Sequence, residues 1–336
     1  MRVKNVRSLL VLLFVTLVSL AAAAGPAEAS RAGKLSSCQD LFFDVSVSGQ
    51  ALPWRIAGRY CPGSGDVLQL LLSGVTYDSR YWDAPGENSY VRYAATRGVS
   101  TLAIDRPGTG VSGKPSAAEL TGARQVEILH ELINRARSGE LGRKFAKVQT
   151  VGHSFGAAIA AKEAGRFGDV DGVILTSFVR GFGPKLDDFA ASLVPADTNA
   201  GLTGRYPDGY LTTRPGARAA LFEASGDTAP LLSEFDERTK STTTPAEQRD
   251  LGMAWAPEVT QAIKVPVFLA VGQADALFCG QYVDCTDAGS VARSEGKFFA
   301  EGVLRTFVLL GAGHSMNLQN NAPSWFKAAV DWVFSS

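Results

Sequence analysis

Apolar residues fall along this chain in two different rhythms. Near the start, Leu41-Phe42-Phe43-Asp44-Val45-Ser46-Val47 and the stretch 52–60 are β-rich and are separated by Ser48-Gly49-Gln50. A turn of that composition between two such stretches predicts a β-hairpin. Beyond it come short apolar runs at 67–72, 99–104, 147–151, 172–175, 265–271 and 304–309, each rich in Val, Leu and Ile. Runs of this length without alternation suit strands buried on both faces of a parallel sheet. Stretches with helical character lie between them, at 124–136, 157–167, 291–300 and 324–333. Strand alternating with helix predicts a doubly wound, mostly parallel α/β sheet.

The alternation lapses between about 177 and 264, too long a gap for a structureless loop in a compact domain. It holds helix-like pieces at 217–224 and 230–238 and reads as a largely helical cap or lid inserted into a domain spanning 30–336. The first residues read differently again. Arg2, Lys4 and Arg7 precede an apolar run from Leu9 to Ala24 broken only by Thr16 and Ser19, and Ala27-Glu28-Ala29 follows. A basic leader, an apolar stretch and a small-x-small site describe a secretory signal peptide, 1–29, cleaved after Ala29. The run is too short to anchor the chain, so no stable membrane insertion is expected after cleavage. Leu35-Ser36-Ser37-Cys38 resembles a lipidation box, but Glu28, Arg31 and Lys34 separate it from the apolar run, which argues against an anchored Cys38.

Export changes how the four cysteines read. In an oxidising compartment an even count suggests disulfides, and the simplest of three connectivities joins Cys38 to Cys61 and Cys279 to Cys285. No CxxC occurs and only three histidines are present, so no metal site is expected. Lys plus Arg equals Asp plus Glu at 33 each. Loss of the leader removes three basic residues and one acid, which leaves 30 against 32. Nothing in that balance draws the protein to nucleic acid or to an anionic membrane.

The chemistry concentrates in three places. Gly152-His153-Ser154-Phe155-Gly156 follows the run 147–151 and precedes Ala157-Ala158-Ile159-Ala160-Ala161, the strand–turn–helix setting in which GxSxG raises a nucleophilic serine, here Ser154. A serine hydroxyl needs a base to take its proton. Of the histidines, His153 lies within the turn and should point elsewhere, and His130 reads as a surface or packing residue of a helix. His314, in Gly311-Ala312-Gly313-His314-Ser315 after the last strand, has the placement of a general base. Asp275 ends the run 265–271 and is the candidate orienting acid, with Asp284 and Asp287 as rivals further from the strand end. The backbone N–H of Phe155 and, from Ser73-Gly74-Val75-Thr76, that of Val75 are candidate oxyanion donors.

Together these segments resemble the α/β-hydrolase superfamily. The likeness rests on Ser73-Gly74, where that family usually carries His-Gly, on Asp105-Arg106-Pro107-Gly108-Thr109-Gly110-Val111-Ser112 for its DxxGxGxS turn, on Gly152 to Gly156, and on the Asp275 and His314 loops. The resemblance implies an α/β-hydrolase fold and a serine hydrolase acting on a small-molecule ester or acyl substrate, with no metal or organic cofactor. Peptidase, acyltransferase and hydroxynitrile lyase chemistry use related elbows, and a catalytically silent binding module would keep the same scaffold. A serine at 154 rather than an aspartate argues against epoxide hydrolase or dehalogenase chemistry. Ser73 in place of His is expected to alter the support of its loop without abolishing the chemistry, because the oxyanion donor is a backbone group.

Overall fold

The computed structural model describes residues 37–224 and 226–335. The expected signal peptide and its cleavage site lie outside them. Among the described residues no helix is long and apolar enough to cross a membrane.

The predicted hairpin is present: β1 (Gln39–Val45) pairs antiparallel with β2 (Trp54–Cys61). Then follow β3 (Val67–Leu72), α1 (Tyr90–Thr96), β4 (Val99–Asp105), α2 (Gly122–Ser138), β5 (Lys147–His153), α3 (Phe155–Phe167) and β6 (Val173–Thr176). Between β6 and the next sheet strand the chain adds α4 (Leu186–Ser192), β7 (Leu193–Pro195), β8 (Leu211–Thr213), α5 (Arg218–Phe222), α6 (Pro230–Arg238), α7 (Pro245–Arg249) and α8 (Pro257–Gln261). It closes with β9 (Val267–Gly272), α9 (Ala288–Glu295), β10 (Leu304–Leu309) and α10 (Ala322–Ser335).

Eight strands form one sheet in the order β1-β2-β4-β3-β5-β6-β9-β10, parallel from β4 onward and antiparallel at the β1/β2 end. Every residue of β3, β4, β6 and β9 is buried, which is why apolar residues dominate those segments. The strand order reverses between β3 and β5. At such a switch point the loops leaving the carboxyl ends diverge and open a crevice above the sheet.

The helices cover both faces. In α10, Trp325, Phe326, Ala329, Val330 and Val333 recur at helical spacing and are buried, with Trp325 stacked on Tyr90 at 5.1 Å. Large side chains buried in this way contribute roughly 1.5–3 kcal/mol each. The helix foreseen at 291–300 instead occupies Ala288–Glu295, because Asp287 caps it early by accepting from the Ser290 N–H at 2.9 Å. The two-stranded β7/β8 pair was not foreseen, since strands of three residues leave no periodicity to read. Two disulfides, Cys38–Cys61 and Cys279–Cys285, tie β1 to β2 and close the loop that follows Asp275.

Candidate active site

Ser154 occupies the one-residue turn between β5 and α3, with φ 54° and ψ −119°, a conformation a side chain adopts only under constraint. The constraint is close packing. A Cβ on Gly152 would lie 2.4 Å from the Ala157 Cα, and one on Gly156 would lie 2.3 Å from the Leu72 carbonyl oxygen. Glycine at both positions lets α3 start directly against β3 and β5. The Ser154 N–H donates to Thr176 O at 2.9 Å, which anchors the turn to β6. The α3 N-terminus then stands beneath the serine, where developing negative charge is favoured.

His314 and Asp275 meet beside it. His314 Nδ1 lies 2.9 Å from Asp275 Oδ2, and both side chains are buried. Asp275 Oδ1 accepts the N–H groups of Leu277 at 3.0 Å and Phe278 at 3.3 Å, so the carboxylate is oriented from both oxygens. The His314 loop is fixed through its backbone: Ser177, itself at φ 49°, donates its hydroxyl to His314 O at 2.8 Å. Asp284 and Asp287 are engaged elsewhere, on Thr286 and Ser290. The backbone carbonyl of Asp275 accepts the N–H of Cys279 at 2.9 Å, so the short disulfide loop leaves directly from the backbone of the residue whose carboxylate meets His314.

Ser154 and His314 line one small cavity of about 20 Å³, together with Val75, Tyr77, Phe222 and Leu277 among others. Among the described residues the Ser154 hydroxyl makes no hydrogen bond. Proton-transfer contacts of this kind are commonly long without a substrate and tighten with one. A far larger cavity, about 610 Å³, lies among charged groups including Asp78, Arg80, Arg205 and Lys240, and none of Ser154, Asp275 or His314 lines it. Convergent chemistry rather than volume identifies the smaller one as the candidate active site.

The loop of Ser73 to Thr76 lies against the serine: a Cβ on Gly74 would come within 2.9 Å of Ser154 Cβ. The N–H groups of Val75 and Phe155 donate to no acceptor among the described residues. Ser73 supplies no side-chain support, since its hydroxyl is buried without a partner. Support comes from Arg106, buried within the DxxGxGxS-like turn. Its Nε donates to Ser73 O at 2.9 Å and its Nη2 to Gly74 O at 3.0 Å, while Nη1 pairs with Glu247 of α7. On the other side Arg218 of α5 donates to Thr76 Oγ1 at 3.0 Å, is paired with Asp236 of α6 at 2.8 Å, and lies 4.2 Å over the Tyr77 ring. Burial holds the Tyr77 phenol above its usual range, and its hydroxyl bonds to that of Ser315, next to His314.

His153 is fully buried, stacked on Tyr81 at 4.5 Å with Nδ1 3.1 Å from Thr176 Oγ1. Burial, with His314 beside it, holds its imidazole well below the usual histidine range, so it stays neutral. Sequence reasoning missed Arg218, Asp236, Glu247 and the role of Arg106. Arg106 lay inside a motif already recognised, and Thr244-Pro245-Ala246-Glu247 has the capping-box pattern that in fact starts α7, so both carried a signal.

A sequence model of the alpha/beta hydrolase family matches residues 69–326. No curated protein matches the chain. Among solved structures, a thermophilic esterase from Thermogutta terrifontis (malate bound) is similar with a TM-score of 0.60 at 18% identity, over 88% of this chain and 98% of that one. The monoacylglycerol lipase of Paleococcus ferrophilus gives a TM-score of 0.58 at 20% identity, over 84% of this chain and 99% of that one. At these identities the likeness is one of fold.

Proposed function

Since the chain belongs to the alpha/beta hydrolase family, we propose that it is a secreted serine hydrolase that cleaves a small carboxylic ester through an acyl-enzyme. The observation that carries this reading is the 2.9 Å Asp275–His314 contact opening onto the same small cavity as Ser154 at its constrained turn. His314 Nε2 takes the Ser154 proton as Oγ attacks the ester carbonyl, and Asp275 stabilises the imidazolium that forms. The Val75 and Phe155 N–H groups hold the oxyanion. The tetrahedral intermediate expels the alcohol, which takes the proton back from His314. Water, deprotonated by the same histidine, then releases the acid.

The cavity favours an apolar acyl or alkoxy group, because Leu186, Phe189, Phe222, Leu251, Leu277 and Phe278 line it. Its 20 Å³ admits little more than a water-sized group. Segment 177–264, which contributes four of those six side chains, acts in this reading as a cap that must move for a larger ester to enter. Support for export comes from the leader and from cysteines that are all paired.

A fluorophosphonate probe with peptide mapping tests the nucleophile, and p-nitrophenyl esters run beside aminoacyl anilides test the bond cleaved. Labelling at Ser154, ester turnover, and loss of both in Ser154→Ala are expected. An unlabelled, well-folded protein would mean a silent scaffold, and turnover of anilides alone would mean a peptidase.

A further inference from the structure

A second cluster of reactive groups lies on the α2/α3 side of the sheet. His130 of α2, Glu163 of α3 and Asp169 just beyond α3 bring one donor atom each to within 4.8 Å of one another. Glu163 is completely buried, and neither of its carboxylate oxygens has a hydrogen-bond partner. His130 Nδ1 lies 2.7 Å from Asp169 Oδ2 and 3.5 Å from Glu163 Oε1, yet hydrogen-bonds to neither. Among the described residues no arginine forms an ion pair with either carboxylate. The imidazole is held for this position: Phe167 stacks on it at 3.7 Å, and its Nε2 contacts the Asn134 amide at 3.1 Å.

A fully buried carboxylate with no hydrogen-bond partner, as Glu163 is, is costly. One imidazole nitrogen and two carboxylate oxygens converging on one point are a donor set for a borderline divalent cation of the zinc class. We propose that His130 Nδ1, Glu163 and Asp169 form a zinc-class cation site, remote from Ser154, that clips α2, α3 and the turn after α3 together. Zinc takes nitrogen and oxygen donors at roughly 2.0–2.2 Å, which sets the donors of a tetrahedron roughly 3.3–3.6 Å apart; the 3.5 Å separation of His130 and Glu163 already suits it, and the 2.7 Å contact of His130 with Asp169 must open. The partly exposed edges of His130 and Asp169 leave solvent to complete a tetrahedron. Asn134 would turn its amide to accept the Nε2 proton, fixing the tautomer that frees Nδ1. The three residues share no spacing motif, which is why a histidine count and the absence of CxxC gave no hint of them.

Isothermal titration of the chelator-treated protein with zinc chloride tests the site, beside thermal melting with and without zinc. Expected are one saturable site, a melting temperature raised by zinc, and affinity at least tenfold weaker in Glu163→Gln, with Asp169→Asn and His130→Ala as second and third probes at less buried positions. Fluorophosphonate labelling of each variant reports its folding independently of the metal. Absence of zinc binding by the wild type overturns the proposal. So does wild-type affinity in folded Glu163→Gln, which would put the zinc elsewhere, for instance on His314.

Discussion

Gly74→Ala isolates the proposed oxyanion loop, Ser73 to Thr76, from the rest of the fold. A Cβ there would meet Ser154 Cβ at 2.9 Å and His153 O at 3.3 Å, whereas ordinary contact begins at 3.4 Å. Gly74 does not have the positive φ that strains an alanine, so the backbone tolerates the change and the conflict is with Ser154. Loop and serine must separate by about 0.5 Å, the difference between those contacts. A misplacement of about 1 Å costs on the order of a hundredfold in rate, so half of that costs about tenfold. We therefore expect kcat for a p-nitrophenyl ester to fall about tenfold, with the melting temperature lowered by only a few degrees. Gly168→Ala supplies the reverse signature: open space but φ 62°, hence a loss of stability of about 1 kcal/mol at unchanged kcat. Gly156→Ala, 2.3 Å from the backbone oxygen of Leu72, should fail in folding rather than in rate. Kinetics within twofold of wild type in a stable Gly74→Ala protein would refute the idea that this loop is held against Ser154.

Asp275→Asn should lose most esterase activity through the wrong His314 tautomer, while Asp287→Asn, which still caps α9, should stay within about twofold; the reverse ranking in steady-state assays would move the acid to Asp287. His153 is neutral in the fold, and its lowered pKa means that the unfolded chain alone takes up its proton as pH falls below 6.5. It therefore gives the native state an acid-side loss of up to about 1.4 kcal/mol per pH unit, which His153→Phe should flatten in denaturant titrations between pH 7.5 and pH 5. Arg218→Met leaves Asp236 buried and alone and should cost about 3–5 kcal/mol, with Arg218→Met/Asp236→Leu recovering much of it in urea unfolding. Cys279→Ser/Cys285→Ser should remove about 2 kcal/mol by loop entropy but lower kcat more than that loss implies, because Cys279 is hydrogen-bonded to Asp275; an early-melting variant with normal kcat would show the bridge to be a staple only.

Much of the molecule was readable before any coordinates. Strands buried on both faces are dominated by apolar residues, so 67–72, 99–104 and 265–271 announced a parallel sheet, the first with the bounds of β3 and the other two with ends off by one or two residues. The GxSxG turn was legible because its flanking residues are dictated by contacts with their own neighbours in the chain, as the Gly152–Ala157 approach illustrates. Within 177–264 the helices at 218–222 and 230–238 were foreseen, but not how the segment packs. Its strands are three residues long, and its organising contacts are tertiary: Arg106 reaches Glu247 across 141 residues, and Arg218 reaches Thr76 across 142. No periodicity encodes such pairs. A buried arginine and an exposed one are the same letter, and their environment alone tells them apart.

That tertiary wiring accounts for the serine at 73. Chains of this family usually place histidine there, and Ser73 neither replaces its bulk nor finds a partner for its hydroxyl. The loop is held instead by two guanidinium groups, Arg106 on the carbonyls of Ser73 and Gly74 and Arg218 on Thr76. Both counter-ions, Glu247 and Asp236, belong to helices of the 177–264 segment. Buried pairs of this type add little net stability, since desolvation offsets most of their attraction, but a partner left alone is costly. They therefore act as a register: the loop can sit in one place only when those helices sit in theirs. In the proposed reaction the segment that shapes the substrate cavity also sets the position of Val75. A cap displaced by an ill-fitting ester would carry the oxyanion donors off the point where the charge develops, and the discrimination would appear in kcat as much as in KM.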